Sequence, residues 1–545
     1  MRVLIVGGVA GGATTAARLR RLNESAEIHV FDRGPYVAFA NCGLPYHVGD
    51  VIADESRLLV ARPELFRDRF NIHIHTRTEV THLDRARRVL RVRDVSTGAE
   101  RDEAYDALLL SPGAAPIRPP LPGLDTPGVF TVRNIPDSRA IRDWITTRGA
   151  RSALVVGGGF IGLEMAENLH HRGLQVHLIT PFLLPPLDPE MASFLRQRLT
   201  ERGVTLHLPD EPVAFAPEGD GVQVTTKQGQ ILRTDLVILA IGVRPEVGLA
   251  VAAGLPLGPR GGILVDAQMR TADPAIWAVG DAVEVRDVVT GQELIAPLAG
   301  PAQRQARVAA EAIAGGARTF RGVQATAVLG CFGLTAATTG ANEAGLRRAG
   351  HTSYQAVWLH PGHHAGYYPG ARPIHLKLIF EVPSGRVLGA QAIGDEGVEK
   401  RIDVIATHLQ HGGRVADLAD SELCYAPQFG AAKDPVNLAG MIAQNHLDGR
   451  MPLARWEDLG ATDALVVDVR EPDEHAAGSV PGAISAPLST LRQRVEALPQ
   501  GRPLWLLCAA GQRAFYAARF LQQRGYDVAV LSGGMATWRA RTGVA

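Results

Sequence analysis

Two glycine-rich turns constrain the fold of this chain more than any other feature of its sequence. The first turn, Gly7–Gly12, follows the apolar, β-branched run Arg2–Val6. The second turn, Gly157–Gly162, follows the similar run Ser152–Val156. In both places a helix-like stretch and another strand-like run come next, which is the pattern of a βαβ unit. Two such units in 545 residues predict an α/β chain with two Rossmann-like, nucleotide-binding domains.

The second turn carries a complete GxGxxG pattern, formed by Gly157, Gly159 and Gly162. Glycines at this spacing allow a tight turn and let the backbone approach a pyrophosphate, which then lies at the helix N-terminus. We therefore expect a dinucleotide there. The acidic residue that would bind a ribose 2′-hydroxyl is missing, since its expected position falls near Thr180. No arginine follows to bind a 2′-phosphate, so the choice between NADH and NADPH stays open.

The first turn departs from the pattern, because Val9 stands where the second glycine belongs. Asp32, however, ends the next strand about 20 residues after the turn, where a ribose-binding carboxylate is expected. Leu109–Gly113 and Leu239–Gly242 each end an apolar strand in a glycine turn. Ile276–Asp281 is an apolar strand that ends in Gly-Asp. Taken alone, this last aspartate also fits a helix N-cap.

In this order, the two turns and the later Ala-Val-Gly-Asp segment resemble the two-dinucleotide flavoprotein disulfide reductases. The resemblance implies that the first domain binds FAD, that the inserted domain binds NADH or NADPH, and that Asp281 holds the flavin ribityl chain. It implies a set of cofactor-binding residues: Gly7, Gly8, Gly12, Asp32, Arg33, Asn41, Val80, Ser111, Gly113, Gly157, Gly159, Gly162, Glu164, Gly242, Gly280, Asp281 and Ala299.

A single cysteine, Cys42, follows the second strand of the first unit, in the segment Asn-Cys-Gly-Leu-Pro-Tyr. Ordinary disulfide reductases carry two neighbouring cysteines here, whereas the next cysteine in this chain is Cys331. One thiol cannot cycle through a local disulfide. Its oxidised partner is therefore a bound small thiol, a persulfide sulfur or a sulfenic oxygen. The alternative is a buried structural cysteine.

The stretch GGVAGG…GPYVAFANCGLPY resembles the coenzyme A-disulfide reductase branch of this superfamily, and also the related NADH oxidases and peroxidases. Two later segments, His363–Pro369 and Tyr425–Asn437, are similar to the dimerisation domain of the branch. The resemblance implies a homodimer in which tyrosines of one subunit reach the redox thiol of the other. Tyr367 and Tyr425 stand at the matching positions. Ala38 departs from the branch, which usually has serine there.

Coenzyme A ends in a phosphorylated adenosine, so a site for it needs cations. Arg18 and Arg21 follow the first glycine turn at an i, i+3 spacing, on one helix face. Arg304 and Arg307 repeat that spacing, and Arg62 precedes a proline. Each of these side chains also fits a solvated surface. With the resemblance, all five are candidates for binding coenzyme A, and a phosphate role is favoured for Arg18, Arg62 and Arg304.

A second reactive thiol is predicted at Cys508, in Cys-Ala-Ala-Gly-Gln-Arg between a strand and a helix. Backbone N–H groups and the positive helix end stabilise a thiolate at such a turn. Arg513 closes the loop, where it can anchor the loop or face an anionic donor. The segment resembles a rhodanese domain, with Ser479 departing from the usual histidine, and the alternative is an inactive copy. Three further segments carry the resemblance: Val467–Glu471, Gly478–Ala483 and Leu531–Met535.

Together these features predict four domains. An FAD-binding domain spans 1–115 and 250–323, an NAD(P)-binding domain spans 116–249, and an α+β dimerisation domain spans 324–445. A linker at 446–454 leads to an α/β rhodanese domain at 455–545. We expect that last domain to act as a separate module whose exposed Cys508 loop meets bulky sulfur donors.

Composition narrows the class further. Lys+Arg and Asp+Glu are both 56, and the absence of a basic block argues against nucleic-acid binding. No run is long and apolar enough to predict a membrane span. Four scattered cysteines favour a reducing compartment, the cytoplasm. Cys331 fits the core, Cys424 is either a small buried residue or near the partner's active site, and no metal site is predicted.

The predicted activity is NAD(P)H-dependent reduction of coenzyme A persulfide, polysulfide or disulfide by Cys42, with Cys508 carrying sulfane sulfur. The presence of both units favours persulfide, because a disulfide reductase alone has no use for a sulfur-transfer thiol. Two alternatives stay open: an NADH oxidase or peroxidase with Cys42 as sulfenate, and a redox-sensing sulfur carrier. The first leaves Cys508 unexplained.

Overall fold

The computed structural model describes residues 1–543. Residues 544–545, which the predicted domain 455–545 includes, lie outside them. The chain forms two compact units, one made of Met1–Phe182 and Gly203–Val323. The other contains Leu183–Arg202 and the described residues from Gln324 onward. Within residues 1–543, no helix is both long and apolar enough to cross a bilayer.

Strands and helices alternate through the first unit. Residues 1–116 form β1 (Arg2–Val6), α1 (Ala10–Leu22), β2 (Glu27–Phe31), α2 (Leu44–Val48), α3 (Pro63–Phe70), β3 (His73–His75), β4 (Thr78–Asp84), β5 (Val89–Asp94), β6 (Glu100–Ala104), β7 (Ala107–Leu110) and β8 (Ala114–Pro116). Residues 129–245 form β9 (Val129–Phe130), α4 (Ile135–Arg148), β10 (Ser152–Gly158), α5 (Phe160–His171), β11 (Gln175–Leu183), α6 (Pro189–Glu201), β12 (Thr205–His207), β13 (Pro212–Glu218), β14 (Gly221–Thr226), β15 (Ile231–Thr234), β16 (Leu236–Leu239) and β17 (Val243–Pro245). Residues 248–313 add α7 (Gly248–Ala252), β18 (Ile263–Leu264), β19 (Ile276–Ala278), β20 (Val283–Arg286), β21 (Glu293–Ile295) and α8 (Ala299–Ile313).

Two five-stranded sheets organise this unit, with strand orders β19-β7-β1-β2-β3 and β12-β11-β10-β16-β9. Their strands run parallel: Val3 pairs with Ile28 and Ala107, for example. Both sheets are lined by aliphatic side chains, which are buried because a parallel sheet is covered on both faces. Smaller antiparallel sheets, such as β4-β5-β6 and β13-β14-β15, flank them. The two predicted βαβ units thus each lie in a parallel sheet.

The second unit begins with an antiparallel sheet of order β22-β23-β26-β25-β24. Its elements are β22 (Ala327–Cys331), β23 (Leu334–Gly340), α9 (Glu343–Arg348), β24 (Tyr354–Leu359), β25 (Ile374–Glu381), β26 (Val387–Gly394), α10 (Val398–Gln410), α11 (Val415–Ala419) and α12 (Pro435–Leu447). A parallel sheet of order β27-β31-β30-β28-β29 follows. Its elements are β27 (Leu453–Ala454), β28 (Leu465–Asp468), α13 (Pro472–Ala476), β29 (Ile484–Ser485), α14 (Leu488–Arg494), β30 (Leu504–Leu507), α15 (Gln512–Gln522), β31 (Val528–Leu531) and α16 (Gly534–Thr542).

An ion cluster lies in the interior of the second unit. The ammonium of Lys377, which is 0% exposed, lies 2.6 Å from a carboxylate oxygen of each of Asp188, Glu190 and Glu343. The opposite charges offset the desolvation that burial imposes on each group. Each of these three carboxylates therefore has the Lys377 ammonium as its partner.

The predicted linker at 446–454 is wrong at both of its ends. His446 belongs to α12, and Leu453–Ala454 forms β27, which pairs with β31 of the last sheet. The short strand adds backbone hydrogen bonds and buries both side chains, so only residues 448–452 connect the two sheets. The last domain shares one compact unit with the antiparallel sheet, which contradicts the expectation of a separate module.

Candidate active site

The carboxyl ends of adjacent parallel strands bring three predicted segments together. Gly7 follows β1, Ser111 follows β7, and Asp281 lies just after β19, three neighbours in the first sheet. A Cβ added to Gly11 would lie 2.6 Å from the Ser111 Oγ and 2.8 Å from a methyl group of Val279. Ligands of open parallel sheets bind at this edge. The three turns therefore form one site.

The first glycine-rich turn is tight, and it leaves the backbone N–H groups at the start of α1 accessible to a ligand. A Cβ on Gly12 would collide with the Gly7 carbonyl oxygen, and Gly7 itself has φ +91°. No other residue fits these two positions without moving the backbone. The free N–H groups at the start of α1 suit a phosphate, so the turn fits a dinucleotide although Val9 interrupts the glycine pattern.

Asp32 supports this turn from the end of β2. Its carboxylate accepts hydrogen bonds from the backbone N–H groups of Gly8 and Gly34, both at 2.8 Å. Burial raises the pKa of Asp32, and these two hydrogen bonds oppose that rise. Burial likewise raises the pKa of Asp281. Both predicted carboxylates therefore lie in enclosed positions where a cofactor hydroxyl would find an acceptor.

Arg133 belongs to the same site and was missed by the sequence analysis. Its guanidinium approaches Gly113, and its charge opposes the rise that burial causes in the pKa values of Asp32 and Asp281. With its amide turned to suit its neighbours, Asn41 accepts from Arg133 Nη1 at 3.0 Å. Arg133 lies just before α4, far along the chain from the residues it approaches. No local pattern in the sequence marks it.

The other predicted cofactor residues have separate placements. Arg33 pairs with Glu246 at 2.5 Å, and the Gly280 N–H donates to Gln305 at 2.7 Å. Val80 lies in β4, Gly242 follows β16 with φ +115°, and Ala299 begins α8.

The second turn repeats the geometry of the first. A Cβ on Gly162 would collide with the Gly157 carbonyl oxygen, as for the pair Gly12 and Gly7. Thr180 takes the place of Asp32: its Oγ1 accepts from the Gly158 N–H at 3.0 Å and donates to the Phe182 carbonyl at 2.8 Å. The hydroxyl supports the turn but offers no charge to a ribose.

Cys42 lies in the single helical turn Asn41–Gly43, just before α2. Solvent reaches its side chain. Partial burial, reinforced by the negative charges of Glu164 and Asp281, raises the pKa of the Cys42 thiol. Glu164 comes from α5, after the second glycine turn, so both βαβ units contribute to the surroundings of the thiol.

The environment of Glu164 is unusual for a carboxylate. Burial raises its pKa to about 7, although the Tyr46 hydroxyl donates to it at 3.3 Å. Tyr46 lies on α2, next to the Cys42 turn. A group that titrates near neutrality beside a thiol is suited to exchanging protons.

The five candidate arginines differ in their partners. Arg18 on α1 pairs with Glu311 on α8 at 2.9 Å, and Arg307 approaches the same carboxylate at 3.8 Å. Arg18 and Arg307 thus share one carboxylate partner, and the phosphate role of Arg18 stays a prediction. Arg304 lies over the Phe320 ring at 5.3 Å and has no carboxylate partner among residues 1–543. Arg21 and Arg62 are exposed.

Tyr367 and Tyr425 meet although 58 residues separate them. Their hydroxyls lie 2.8 Å apart, and both side chains are exposed. Buried Arg401 supports the segments that carry them, because it donates to the His363 carbonyl and to the Asp434 carboxylate, both at 2.8 Å. The structure thus brings the two predicted tyrosines together.

Cys508 ends β30, and the turn after it leads into α15. The Gly511 N–H points at its sulfur, at 3.0 Å. The Cys508 side chain is 1% exposed, whereas Ala509 and Ala510 of the predicted exposed loop are exposed. The loop thus places a backbone N–H on its own sulfur, which favours a thiolate there.

Arg513 anchors the loop rather than facing solvent. It forms two hydrogen bonds to Glu474 of α13, at 2.5 and 2.7 Å, and these lower the pKa of Glu474 to about 2. Nearby, Ser479 donates to the buried Asp468 carboxylate at 2.7 Å. This serine, at the position where histidine was expected, therefore supports the chain behind the loop.

Three family models match the chain. Residues 1–316 match the pyridine nucleotide-disulphide oxidoreductase model, and 327–435 match its dimerisation domain. The chain belongs to the pyridine nucleotide-disulphide oxidoreductase family. Residues 454–541 match the rhodanese-like domain, which confirms the resemblance predicted at Cys508. Enzymes of this family bind FAD and NAD(H), so both predicted cofactors are confirmed, as is the α/β fold class.

Among relatives of this oxidoreductase, coenzyme A disulfide reductase from Staphylococcus epidermidis is 36% identical over 448 residues, covering 81% of this chain and all of the relative. An NADH oxidase from Methanocaldococcus jannaschii is 36% identical over 455 residues, covering 83% and 100%.

Two solved structures span nearly the whole oxidoreductase. Reduced Bacillus anthracis CoADR-RHD has a TM-score of 0.96 and 43% identity, and the match covers 99% of this chain and 98% of that one. An NAD-dependent persulfide reductase from A. fulgidus has a TM-score of 0.91 and 37% identity, with coverage of 99% and 100%.

Proposed function

We propose that this oxidoreductase uses NAD(P)H to reduce coenzyme A persulfide, polysulfide or disulfide, and that its rhodanese-like domain delivers the sulfane sulfur. One observation carries the proposal: a lone thiol beside the cofactor site and a second thiol in a rhodanese-type loop occur in one chain. A persulfide substrate involves both thiols, because Cys42 would reduce it and Cys508 would carry its sulfane sulfur.

We assign cofactor binding to the two turns. The N-terminus of α1 would hold the FAD phosphates, Asp32 and Asp281 would accept hydrogen bonds from FAD hydroxyls, and the turn Gly157–Gly162 would hold the nicotinamide nucleotide. Bound FAD supplies Cys42 with the electron pair that NADH delivers. Arg133 balances the two enclosed carboxylates.

The reaction takes place at Cys42. Its thiolate attacks the outer sulfur of coenzyme A persulfide, the S–S bond breaks, and coenzyme A leaves as thiolate while Cys42 becomes a persulfide. Two electrons then return Cys42 to thiolate and release hydrosulfide. The sum is NADH, a proton and the persulfide giving NAD⁺, coenzyme A and hydrogen sulfide. Glu164, whose pKa is raised to about 7, is suited to protonating a leaving thiolate.

Binding of coenzyme A is assigned to arginines of α1 and α8. Arg304, Arg21 and Arg62 have side chains available for phosphate, since none pairs with a carboxylate in the described part of the chain. Arg18 and Arg307 share Glu311, which holds them on adjacent helices. We expect phosphate to compete with Glu311 for both of them.

A cytoplasmic homodimer completes the proposal. The dimerisation domain supports a two-fold assembly in which Tyr367 and Tyr425 assist the thiol chemistry of the opposite subunit. The four scattered cysteines of the sequence suit a reducing compartment. The predicted boundaries of the FAD-binding and NAD(P)-binding domains belong to this proposal as well.

NADH oxidation with Cys42 as sulfenate is the second candidate, because a relative carries the name NADH oxidase. It gives Cys508 no part in the reaction.

Steady-state NADH consumption by the purified holoenzyme tests the proposal. Coenzyme A persulfide, coenzyme A disulfide, oxygen and hydrogen peroxide are supplied in separate anaerobic or aerobic reactions. We expect the persulfide to give the highest kcat/KM. Faster turnover with oxygen or peroxide would favour the oxidase or peroxidase instead.

A further inference from the structure

The Cys508 loop rests on the chain that leads into α16. The Met535 N–H donates to the Cys508 carbonyl at 2.8 Å, and the Ala536 N–H donates to the Ala509 carbonyl at 3.1 Å. A Cβ added to Gly534 would collide with the Cys508 carbonyl oxygen. Residues 532–537, which we call the support segment, therefore fix the start of the loop whose N–H group points at the thiol.

The other side of the support segment is held by β24 of the antiparallel sheet. The Ser532 hydroxyl accepts from the Trp358 N–H at 2.9 Å and donates to the Trp358 carbonyl at 3.0 Å. His360, just after β24, bonds through Nε2 to the Thr537 hydroxyl at 2.9 Å. A Cβ on Gly533 would come within 3.0 Å of the same His360 nitrogen, so the contact is close-packed.

His360 is itself fixed in place. Its Nδ1 lies 2.7 Å from the Nδ1 of His375, and the His375 ring stacks on Phe194 with centroids 3.8 Å apart. Burial lowers the pKa of His360 to about 3 and that of His375 to about 4, so both rings are neutral. Because His375 is stacked on Phe194, it gives the neutral His360 ring one orientation in which both of its nitrogens are bonded.

We propose that His360 is a positioning residue for sulfur transfer at Cys508, acting through Thr537 and the support segment. Sulfur transfer then depends on a side chain that lies outside the rhodanese-like domain, in the dimerisation domain. The physical reason is that a shift of a fraction of an ångström in the support segment displaces the Gly511 N–H from the sulfur. Such displacements reduce rates steeply. The inference rests on the proposed sulfurtransferase function.

The experiment compares His360→Leu with His360→Gln in the full-length holoenzyme. Thiosulfate is the donor and cyanide the acceptor: the Cys508 thiolate takes the outer sulfur and releases sulfite, and cyanide then removes that sulfur as thiocyanate. We expect His360→Leu to lower kcat/KM for thiosulfate about tenfold or more. We expect His360→Gln to keep most of the wild-type rate, because its side-chain amide can replace Nε2 as the partner of the Thr537 hydroxyl. The rate of Cys508 alkylation follows the same order.

His408→Leu is the matched control, because His408 also bonds to one hydroxyl, that of Ser421, but has no contact with the support segment. It should leave thiocyanate formation unchanged. Thr537→Val removes the His360 bond from the opposite side with little change in volume, and a loss matching that of His360→Leu supports the proposal. Transfer within twofold of wild type in either folded variant would overturn it. So would equal loss in the Leu and Gln variants.

The failure of the underlying function is distinguishable. Wild-type enzyme without thiosulfate:cyanide transfer, or with transfer that survives Cys508→Ser, would refute the sulfurtransferase assignment itself. Wild-type transfer that requires Cys508 but does not respond to His360 refutes only the positioning role.

Discussion

The two thiols of this oxidoreductase are held in opposite ways. Solvent reaches Cys42, which lies in a single helical turn, and partial burial together with nearby carboxylates raises its pKa. Cys508 is buried, lies between a strand and a helix, and receives a backbone N–H on its sulfur. The difference indicates that Cys42 depends on bound groups for its reactivity, whereas the backbone of the chain itself prepares Cys508.

The comparison predicts its largest effect for Cys42→Ser. NADH-dependent reduction of coenzyme A persulfide should fall by about 10³-fold or more, since the variant lacks the nucleophile and no second cysteine lies near in sequence. FAD absorbance should persist. Turnover near the wild-type rate would refute the mechanism.

Cys508→Ser should remove thiosulfate:cyanide transfer as completely, because its thiolate accepts the sulfur. Reduction of coenzyme A disulfide at Cys42 needs no sulfur carrier, so we expect it within about threefold of wild type. Parallel NADH and thiocyanate assays measure both. If both activities disappeared, the two thiols would not divide the work.

Gly511→Ala sharpens the comparison at Cys508. Gly511 has φ +106°, so an alanine there is strained and shifts the N–H that points at the sulfur. We expect roughly a tenfold loss of thiocyanate formation and slower alkylation of Cys508. Gly525→Ala serves as control, because Gly525 also has a positive φ and a Cβ there would meet nothing within 4 Å. Equal losses in the two variants would mean that general destabilisation causes the effect.

The smallest effect is expected for a substitution of Glu164, which should change the pKa of the Cys42 thiol. Glu164 titrates at about 7, and its negative charge raises the pKa of Cys42. Glu164→Gln removes that charge, so the thiol pKa falls and more thiolate is present at neutral pH. Alkylation of NADH-reduced enzyme at pH 7 should become about three- to tenfold faster. A higher thiol pKa in the variant would contradict this account.

The comparison also shows what the sequence could predict. The strands Leu504–Leu507 and Val528–Leu531 and the Cys508 loop are local patterns, so short-range propensity and spacing identified them correctly. The surroundings of Cys42 come from distant elements: Arg133 precedes α4 and Glu164 lies on α5. The family resemblance predicted Glu164 as a site residue, whereas no feature of the sequence predicted Arg133. Contacts across many residues leave no periodic signal in a single sequence.

The corrections have the same cause. The predicted linker looked flexible because Gly449 and Pro452 punctuate it, but β27 pairs with β31, more than 70 residues later in the chain. The sequence likewise gave no sign that Arg18 pairs with Glu311, on α8. Both the strand pairing and the ion pair join residues that are far apart in the chain, and composition cannot reveal such partners.

The division of labour between the thiols is tested most directly by mapping persulfides on peptides of the intact enzyme before and after NADH. Thiosulfate should place one extra sulfur on Cys508, and coenzyme A persulfide should place one on Cys42. Addition of NADH without coenzyme A should clear Cys42 and leave Cys508 loaded. Loss of the Cys508 persulfide upon addition of NADH in a Cys42→Ser variant would contradict the account, because Cys508 would then be reduced without the redox thiol.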